Sequence, residues 1–137
     1  MNGSDLDTFL VVDDDESLRT LLSLVLESAG FASIGVASSE EAIEILENDA
    51  GRLKGVILDL NLKGSRGEDV LDQLRALDGN LVIFVISGCL SEEIEERIGE
   101  RAIEGILTKP FRTAELVQTI RSAVERQKEL IASREGA

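Results

Sequence analysis

Five polar side chains follow apolar stretches of the sequence, and together they could bind a divalent cation and receive a phosphoryl group. They are Asp13, Asp14, Asp59, Ser87 and Lys109. Carboxylate oxygens are hard ligands of the kind that Mg²⁺ prefers. A serine hydroxyl and a lysine ammonium can neutralise the oxygens of a phosphoryl group during its transfer. In such a site Asp59 is the predicted nucleophile, and it would form an aspartyl-phosphate.

The apolar stretches before these residues are predicted to be strands of a parallel sheet. Val56, Ile57 and Leu58 form a run without alternation, which indicates a strand buried on both faces. Amphipathic helical patterns separate five such runs, so we predict an α/β fold, a flavodoxin-like doubly wound sheet with order 2-1-3-4-5 and five helices. The predicted strands are Phe9–Val12, Phe31–Val36, Val56–Asp59, Leu81–Ile86 and Ile106–Leu107.

This strand order predicts where the polar residues meet. Strands one and three are neighbours, and their carboxyl ends lie at the topological switch point of the sheet. Asp13, Asp14 and Asp59 are therefore expected to converge in one cleft, where their mutual repulsion calls for a cation. Ser87 and Lys109, which follow strands four and five, are expected at the same edge.

The helices have recognisable ends in the sequence. Asp15 is a predicted N-cap of the first helix, and Gly30 has the position of a C′ residue at its end. The fourth helix is predicted over 92–101, and Ala102 is expected among its few buried residues. The last helix is predicted to begin near Thr113 and to extend to about Ser133, beyond a core of about residues 8–126 in a single domain of 137 residues.

Composition excludes several classes of function. The chain has no histidine, which rules out a histidine triad, a histidine metal ligand and a phosphohistidine donor within this chain. One cysteine, Cys89, excludes an internal disulfide. The formal net charge of −13 argues against nucleic acid as a direct partner. No apolar run reaches the length of a membrane span, so we expect a cytoplasmic protein without membrane partners.

Each candidate residue also has an ordinary structural explanation. Asp59 could cap the loop that follows its strand, and Asp13 and Asp14 could simply favour the dipole of the first helix. Ser87 could be a turn residue, and Lys109 a solvated loop charge. The full set, with members after strands one, three, four and five, favours a functional site over these separate explanations.

Four segments resemble the signatures of the receiver domain of two-component response regulators. They are Val11-Val12-Asp13-Asp14, Ile57-Leu58-Asp59, Val85-Ile86-Ser87-Gly88 and Leu107-Thr108-Lys109-Pro110-Phe111. The resemblance covers about Phe9 to about Arg126. It implies that Asp59 is the phosphoacceptor and that Asp14 and Asp59 ligate Mg²⁺. It further implies that Asp13 acts through a water molecule and that the backbone carbonyl of Asn61 is a ligand.

The resemblance also implies that Ser87 and Lys109 contact the phosphoryl group. Three residues depart from the family's usual pattern. One is Cys89, which lies two residues after Ser87 at a position that the family uses to tune the lifetime of the phosphoryl group, although an ordinary loop residue is the favoured explanation for it. Lys63 stands where the family usually has proline, and Ile106 stands where it usually has tyrosine or phenylalanine as an aromatic switch. How such a switch would work with Ile106 is left open by the sequence.

By this resemblance the chain accepts a phosphoryl group from a sensor histidine kinase or a histidine phosphotransfer protein and signals through its surface. It is expected to catalyse only its own phosphorylation and dephosphorylation, not to act as an enzyme with a separate substrate. Alternatives are an unphosphorylated binding module of the same fold and a receiver fragment of a hybrid histidine kinase or a longer regulator. A phosphatase with an aspartyl nucleophile is disfavoured, because Asn61 stands where such enzymes have a second aspartate.

The last helix is predicted to be an interaction element. Its apolar stripe continues past Val124 to Leu130 and Ile131, beyond the point where the sheet could cover it. A homodimer through the fourth and fifth helices is one expected use of this surface. A frayed tail is the alternative.

Overall fold

The computed structural model describes residues 7–49, 52–62, 64, 66–88, 91–108 and 111–135. Within these residues, five strands alternate with five helices. The strands are β1 (Thr8–Val12), β2 (Ala32–Val36), β3 (Leu53–Asp59), β4 (Val82–Ser87) and β5 (Gly105–Thr108). The helices are α1 (Glu16–Ser28), α2 (Ser39–Asn48), α3 (Gly67–Leu77), α4 (Ser91–Ile98) and α5 (Thr113–Glu135).

The strands form one parallel sheet in the order β2-β1-β3-β4-β5, which confirms the predicted α/β topology. Asp59 at the end of β3 lies beside Ile86 of β4, and Ser87 lies beside Thr108 of β5. Because parallel strands all end at one edge, this register places the carboxyl ends of β1, β3, β4 and β5 along the same edge.

Apolar side chains cover both faces of the sheet. Leu10 and Val12 of β1 pack into a cluster with buried residues of α2, α3 and α4. Phe9 and Val11 point to the other face and pack against residues of α1 and α5. Burial on both faces explains the unbroken apolar runs in the sequence, and it gives the polar residues at the strand ends a rigid base.

The predicted ends of α1 are confirmed. An Asp15 carboxylate oxygen accepts hydrogen bonds from the backbone N–H groups of Ser17 and Leu18, at 2.9 and 3.3 Å. At the other end Gly30 follows the helix with φ at 93°, in the left-handed region that favours glycine.

Helix α4 is shorter than predicted. It ends at Ile98 instead of Arg101, because Gly99 adopts a φ of 61° and turns the chain out of the helix. Ala102 therefore lies beyond the helix and is exposed, so the expectation that it is buried was wrong. Ser91 is the first residue of α4.

Helix α5 runs from Thr113 to Glu135, two residues beyond its predicted end near Ser133. Leu116, Ile120 and Val124 are buried against the sheet, whereas Leu130 is 59% exposed. Ile131 is half-buried, because the chain around Leu53 and Asn80 comes close to it. Among the described residues, no helix is both long and apolar enough to cross a membrane.

Candidate functional site

Three carboxylates converge at the carboxyl edge of the sheet, where β1 and β3 end. Asp13 follows β1 directly, and Asp59 is the last residue of β3. One carboxylate oxygen each from Asp13, Asp14 and Asp59 lies within 4.8 Å of the others. Asp13 and Asp59 are buried, and Asp14 is exposed, so the cluster opens to solvent on one side. The predicted convergence of these side chains is thus present in the fold.

Backbone hydrogen bonds orient the two buried carboxylates. The Asp15 N–H donates to an Asp13 oxygen at 2.8 Å, and the Asn61 N–H donates to an Asp59 oxygen at 2.8 Å. In both cases the donor lies two residues after the aspartate, an arrangement typical of turns that aspartate stabilises. Each strand end therefore holds its carboxylate in place through the first residues of the following loop.

Arg19 supports the end of β1 from helix α1. Its guanidinium donates to the backbone carbonyl of Asp13 at 2.7 Å. Its aliphatic stem passes over Gly35 in β2, where an added Cβ atom would lie 3.4 Å from the Arg19 Cδ. Arg19 was not predicted from the sequence, although its place one residue after Leu18 in α1 is a local signal for a side chain at the edge of the core.

The structure places Ser87 at the same edge, but part of the predicted site lies outside the described residues. Ser87 is buried at the end of β4, in the strand next to Asp59. Lys63, Cys89, Lys109 and Pro110 are not among the described residues. The roles predicted for Ser87 and Lys109 therefore stay predictions.

A second group of charges lies beside Asn61. Arg97 of α4 donates to the Asn61 side-chain oxygen at 3.2 Å, to the Leu60 carbonyl at 3.2 Å and to Glu68 of α3 at 2.7 Å. Neither Arg97 nor Glu68 was predicted from the sequence. The available signal was a single arginine between buried Ile94 and Ile98 in a helix that is otherwise rich in glutamate.

Charged partners shift the pKa values of carboxyl groups on α3. The hydrogen bond from Arg97 lowers the pKa of Glu68 to about 2, with further contributions from the charges of Arg97 and Arg66. One turn further along, the hydrogen bond from Arg101 lowers the pKa of Asp72. The first ion pair joins α3 to α4, and the second joins α3 to the segment that follows α4.

An aliphatic side chain, Ile106, stands where the resemblance to receiver domains would place an aromatic residue. Ile106 of β5 is half-buried and packs against the apolar cluster beneath α4. It borders a groove between α4 and β5, together with Ile98, Gly99 and Thr108. A β-branched side chain has few χ1 rotamers and no polar tip, so it cannot exchange hydrogen bonds as a tyrosine would.

The donor set of the carboxylate cluster fits a hard divalent cation. Asp13, Asp14 and Asp59 offer oxygen ligands only, and the chain contains no histidine. Mg²⁺ favours one or two carboxylates together with water, and exposed Asp14 leaves the cluster open to water. The chemistry of these residues therefore suits Mg²⁺ better than a transition metal that prefers nitrogen or sulfur.

Comparisons with known proteins agree with this geometry. The chain is 35% identical over 118 residues to the sensory transduction protein RegX3 of Mycolicibacterium smegmatis, a match that covers 85% of this chain and 50% of RegX3. It thus spans about half the length of the curated relatives it matches. RegX3 of Mycobacterium tuberculosis is 36% identical over the same length.

Solved structures of receiver proteins have the same fold as this chain. A response regulator receiver protein from Sinorhizobium medicae has 30% sequence identity and a TM-score of 0.78, over 90% of this chain and 98% of that one. A receiver domain protein from Clostridium thermocellum has the same fold, with a TM-score of 0.82 at 22% identity, over 91% of this chain and 99% of that one.

A family model assigns the chain. The model of the response regulator receiver domain matches residues 9–121, a range that holds the carboxylate cluster and Ser87. Receiver domains generally bind Mg²⁺ at an acidic pocket, and they interact with histidine kinases or phosphotransfer proteins. The chain therefore belongs to the response regulator receiver domains of two-component signalling.

Proposed function

We propose that Asp59 accepts a phosphoryl group from a phosphohistidine of a separate sensor histidine kinase or histidine phosphotransfer protein. The observation that carries this proposal is the approach of the Asp13, Asp14 and Asp59 oxygens to within 4.8 Å at the sheet edge of a receiver domain. An Asp59 oxygen attacks phosphorus and forms an O–P bond, while the P–N bond breaks. The electron pair of that bond returns to the imidazole of the partner.

We assign the protein ligands of Mg²⁺ as Asp14, Asp59 and the backbone carbonyl of Asn61, with Asp13 acting through a water molecule. When bound, the ion offsets the negative charge of the carboxylates and of the incoming phosphoryl oxygens. The Asn61 N–H on an Asp59 oxygen supports the assignment, because it aims this carboxylate into the cluster.

Two further residues complete the proposed reaction site. Buried Ser87, beside β3 at the same edge, would donate its hydroxyl to a phosphoryl oxygen. Lys109 would provide a positive charge there. We propose that residues 1–137 act as one receiver domain that catalyses only its own phosphorylation and dephosphorylation and signals through its surface.

Self-association through α4 and α5 is a proposed part of this signalling. Leu130 on the extended part of α5 is 59% exposed, the highest value among the large hydrophobic side chains of the described residues. A second copy of the chain could cover this side chain and form a homodimer.

The phosphoacceptor proposal is tested with a small-molecule phosphodonor such as acetyl phosphate. We expect Mg²⁺-dependent addition of one phosphoryl group by intact mass, which Asp59→Asn abolishes at nearly constant shape. Asp69→Asn, a change at an exposed carboxylate in the first turn of α3, is the matched control and should label normally. Labelling that survives in Asp59→Asn would reject Asp59 as the acceptor.

A further inference from the structure

The guanidinium of Arg97 joins three parts of the chain beside the proposed phosphoacceptor. From α4 it reaches the Leu60 carbonyl and the Asn61 side-chain oxygen, both at 3.2 Å, in the loop directly after Asp59. It also contacts the Glu68 carboxylate on α3 at 2.7 Å. One side chain therefore holds two consecutive loop residues from a helix that lies 36 residues further along the chain.

The local structure presents these groups to Arg97. Gly67, at the start of α3, packs so closely on Leu60 that an added Cβ atom would lie 2.9 Å from the Leu60 backbone. This contact places α3 against the loop and puts Glu68, whose side chain is only 14% exposed, next to Arg97. An arginine fork paired with a carboxylate keeps a more defined orientation than a single point charge would.

The Leu60–Asn61 segment that Arg97 binds is part of the proposed acceptor site. The Asn61 N–H donates to the Asp59 carboxylate at 2.8 Å, and the Asn61 carbonyl is the third protein ligand in the proposed function. Both groups belong to the residue whose side chain Arg97 binds. A shift of Arg97 would therefore change the aim of the Asp59 carboxylate and the position of a metal ligand at once.

We propose that Arg97 is a positioning residue of the acceptor site, which fixes the Leu60–Asn61 segment from α4 and so couples that helix to cation binding. This inference rests on the proposed function. In a chain with Ile106 at the aromatic switch position, the Arg97 contacts give α4 a direct connection to the loop after Asp59. By reciprocity, cation binding at the site should in turn stabilise the Arg97 contacts.

Arg101, three residues after the end of α4, is a matched control for Arg97. Its side chain is 33% exposed, as is that of Arg97, and it pairs with Asp72 of α3 at 2.9 Å. Among the described residues, its other hydrogen bonds go to the carbonyls of Arg97 and Ile98. Arg101 thus joins the segment after α4 to α3, with no hydrogen bond to the loop after Asp59 among these contacts.

The experiment compares Mg²⁺ binding by isothermal titration calorimetry in the unsubstituted chain, Arg97→Gln and Arg101→Gln. We expect Arg97→Gln to raise the Kd for Mg²⁺ by about tenfold, the lower end of what loss of an outer-sphere partner costs a metal site. Arg101→Gln should leave the Kd within about twofold. Arg97→Lys keeps the charge without the fork and should give an intermediate Kd.

The NMR signal of the Asn61 amide proton distinguishes a residue that positions the loop after Asp59 from one that only connects two helices. The amide proton shift of Asn61 reports its hydrogen bond to Asp59, and we expect it to move in Arg97→Gln but to stay in Arg101→Gln. Unfolding measurements on both variants establish that each is folded at the temperature used.

Two results would overturn the inference. An unchanged Mg²⁺ Kd and an unchanged Asn61 amide shift in Arg97→Gln, with Mg²⁺ binding that Asp14→Ala removes, would reject Arg97 as a positioning residue and leave the proposed function standing. Absence of Mg²⁺ binding in the unsubstituted chain, together with absence of labelling at Asp59, would reject the proposed function and this inference with it.

Discussion

At the amino edge of the sheet, Arg75 donates hydrogen bonds to three loop carbonyls, whereas the carboxyl edge gathers three carboxylates within 4.8 Å of one another. The Arg75 bonds reach Gly79, Leu81 and Ala102 at 3.0, 2.8 and 2.7 Å. They connect the end of α3 to the segments that lead into β4 and β5. At the amino edge a positive guanidinium is thus paired with carbonyl oxygens, whereas at the carboxyl edge three negatively charged side chains lie close together.

This difference indicates that contacts which stabilise the fold lie at the amino ends of the strands, whereas the residues of the candidate site lie at their carboxyl ends. Like charges at close range destabilise a fold unless a cation or a partner offsets them. Charge-assisted hydrogen bonds to backbone carbonyls have the opposite effect. We therefore expect substitutions at the amino edge to affect mainly unfolding, and substitutions at the carboxyl edge to affect mainly ligand binding.

The largest expected loss of stability follows from Arg75→Ala. It removes three charge-assisted hydrogen bonds and should lower the free energy of unfolding by about 2–4 kcal/mol. Urea denaturation measures this change. Arg52→Ala is the control, since Arg52 forms an exposed ion pair with Asp49 at 3.7 Å and its loss should cost less than about 0.5 kcal/mol. Equal losses in the two variants would contradict the special role of Arg75.

The next expected effect is that Glu68 and Glu104 change the free energy of unfolding with pH in opposite directions. The hydrogen bond from Arg97 lowers the pKa of Glu68 from 4.5 to about 2, so this pair stabilises the fold above pH 4.5 and loses its effect as the pH falls toward 2. Burial raises the pKa of Glu104, which precedes β5 at the amino edge, so its contribution declines as the pH rises above 4.5.

Unfolding titrations of Glu68→Gln and Glu104→Gln test this contrast. Relative to the unsubstituted chain, Glu68→Gln should lose about 1–2 kcal/mol near pH 6 and much less near pH 2. The stability of Glu104→Gln relative to the unsubstituted chain should rise between pH 4.5 and neutrality. If the free energy of unfolding of both variants, relative to the unsubstituted chain, changed with pH in the same direction, the opposite pKa shifts of Glu68 and Glu104 would be contradicted.

Asp14→Ala should stabilise the protein in the absence of divalent cations and abolish stabilisation by Mg²⁺. Removal of one of the clustered carboxylates relieves repulsion, and we expect the Tm in EDTA to rise by about 2–4 °C. In the unsubstituted chain, Mg²⁺ at ten times its Kd should add about 1.4 kcal/mol. A Tm of the unsubstituted chain that millimolar Mg²⁺ leaves unchanged would contradict a metal site at the carboxyl edge.

The smallest effect on stability is expected from Leu130→Glu, near the amino edge. Leu130 is already 59% exposed, so the free energy of unfolding should change by less than about 0.5 kcal/mol. If α5 mediates self-association, the solution mass by light scattering should fall from dimer to monomer. Leu24→Glu on α1, at 57% exposure, is the matched control. A mass that Leu130→Glu leaves unchanged would contradict the α5 interface.

Most residues at the carboxyl edge were predictable, because short sequence patterns determine where the strands end. The apolar runs before Asp13, Asp59 and Ser87 indicate buried strands, and the alternation with helices makes those strands parallel. Parallel strands end at one edge, so the sequence implied that the carboxylates meet. The ends of α1 at Asp15 and Gly30 were predictable for the same reason, since caps act within a few residues.

The sequence by itself therefore determined the strand order and the residues that end each strand, whereas only the tertiary structure decided which long side chains hold those ends. Arg97 binds Asn61 across 36 residues and Arg75 binds Ala102 across 27. Arginine side chains can extend in many directions, so no local pattern selects their partners. The early end of α4 at Gly99 was likewise decided by backbone conformation, because glycine is tolerated inside a helix as well as after one.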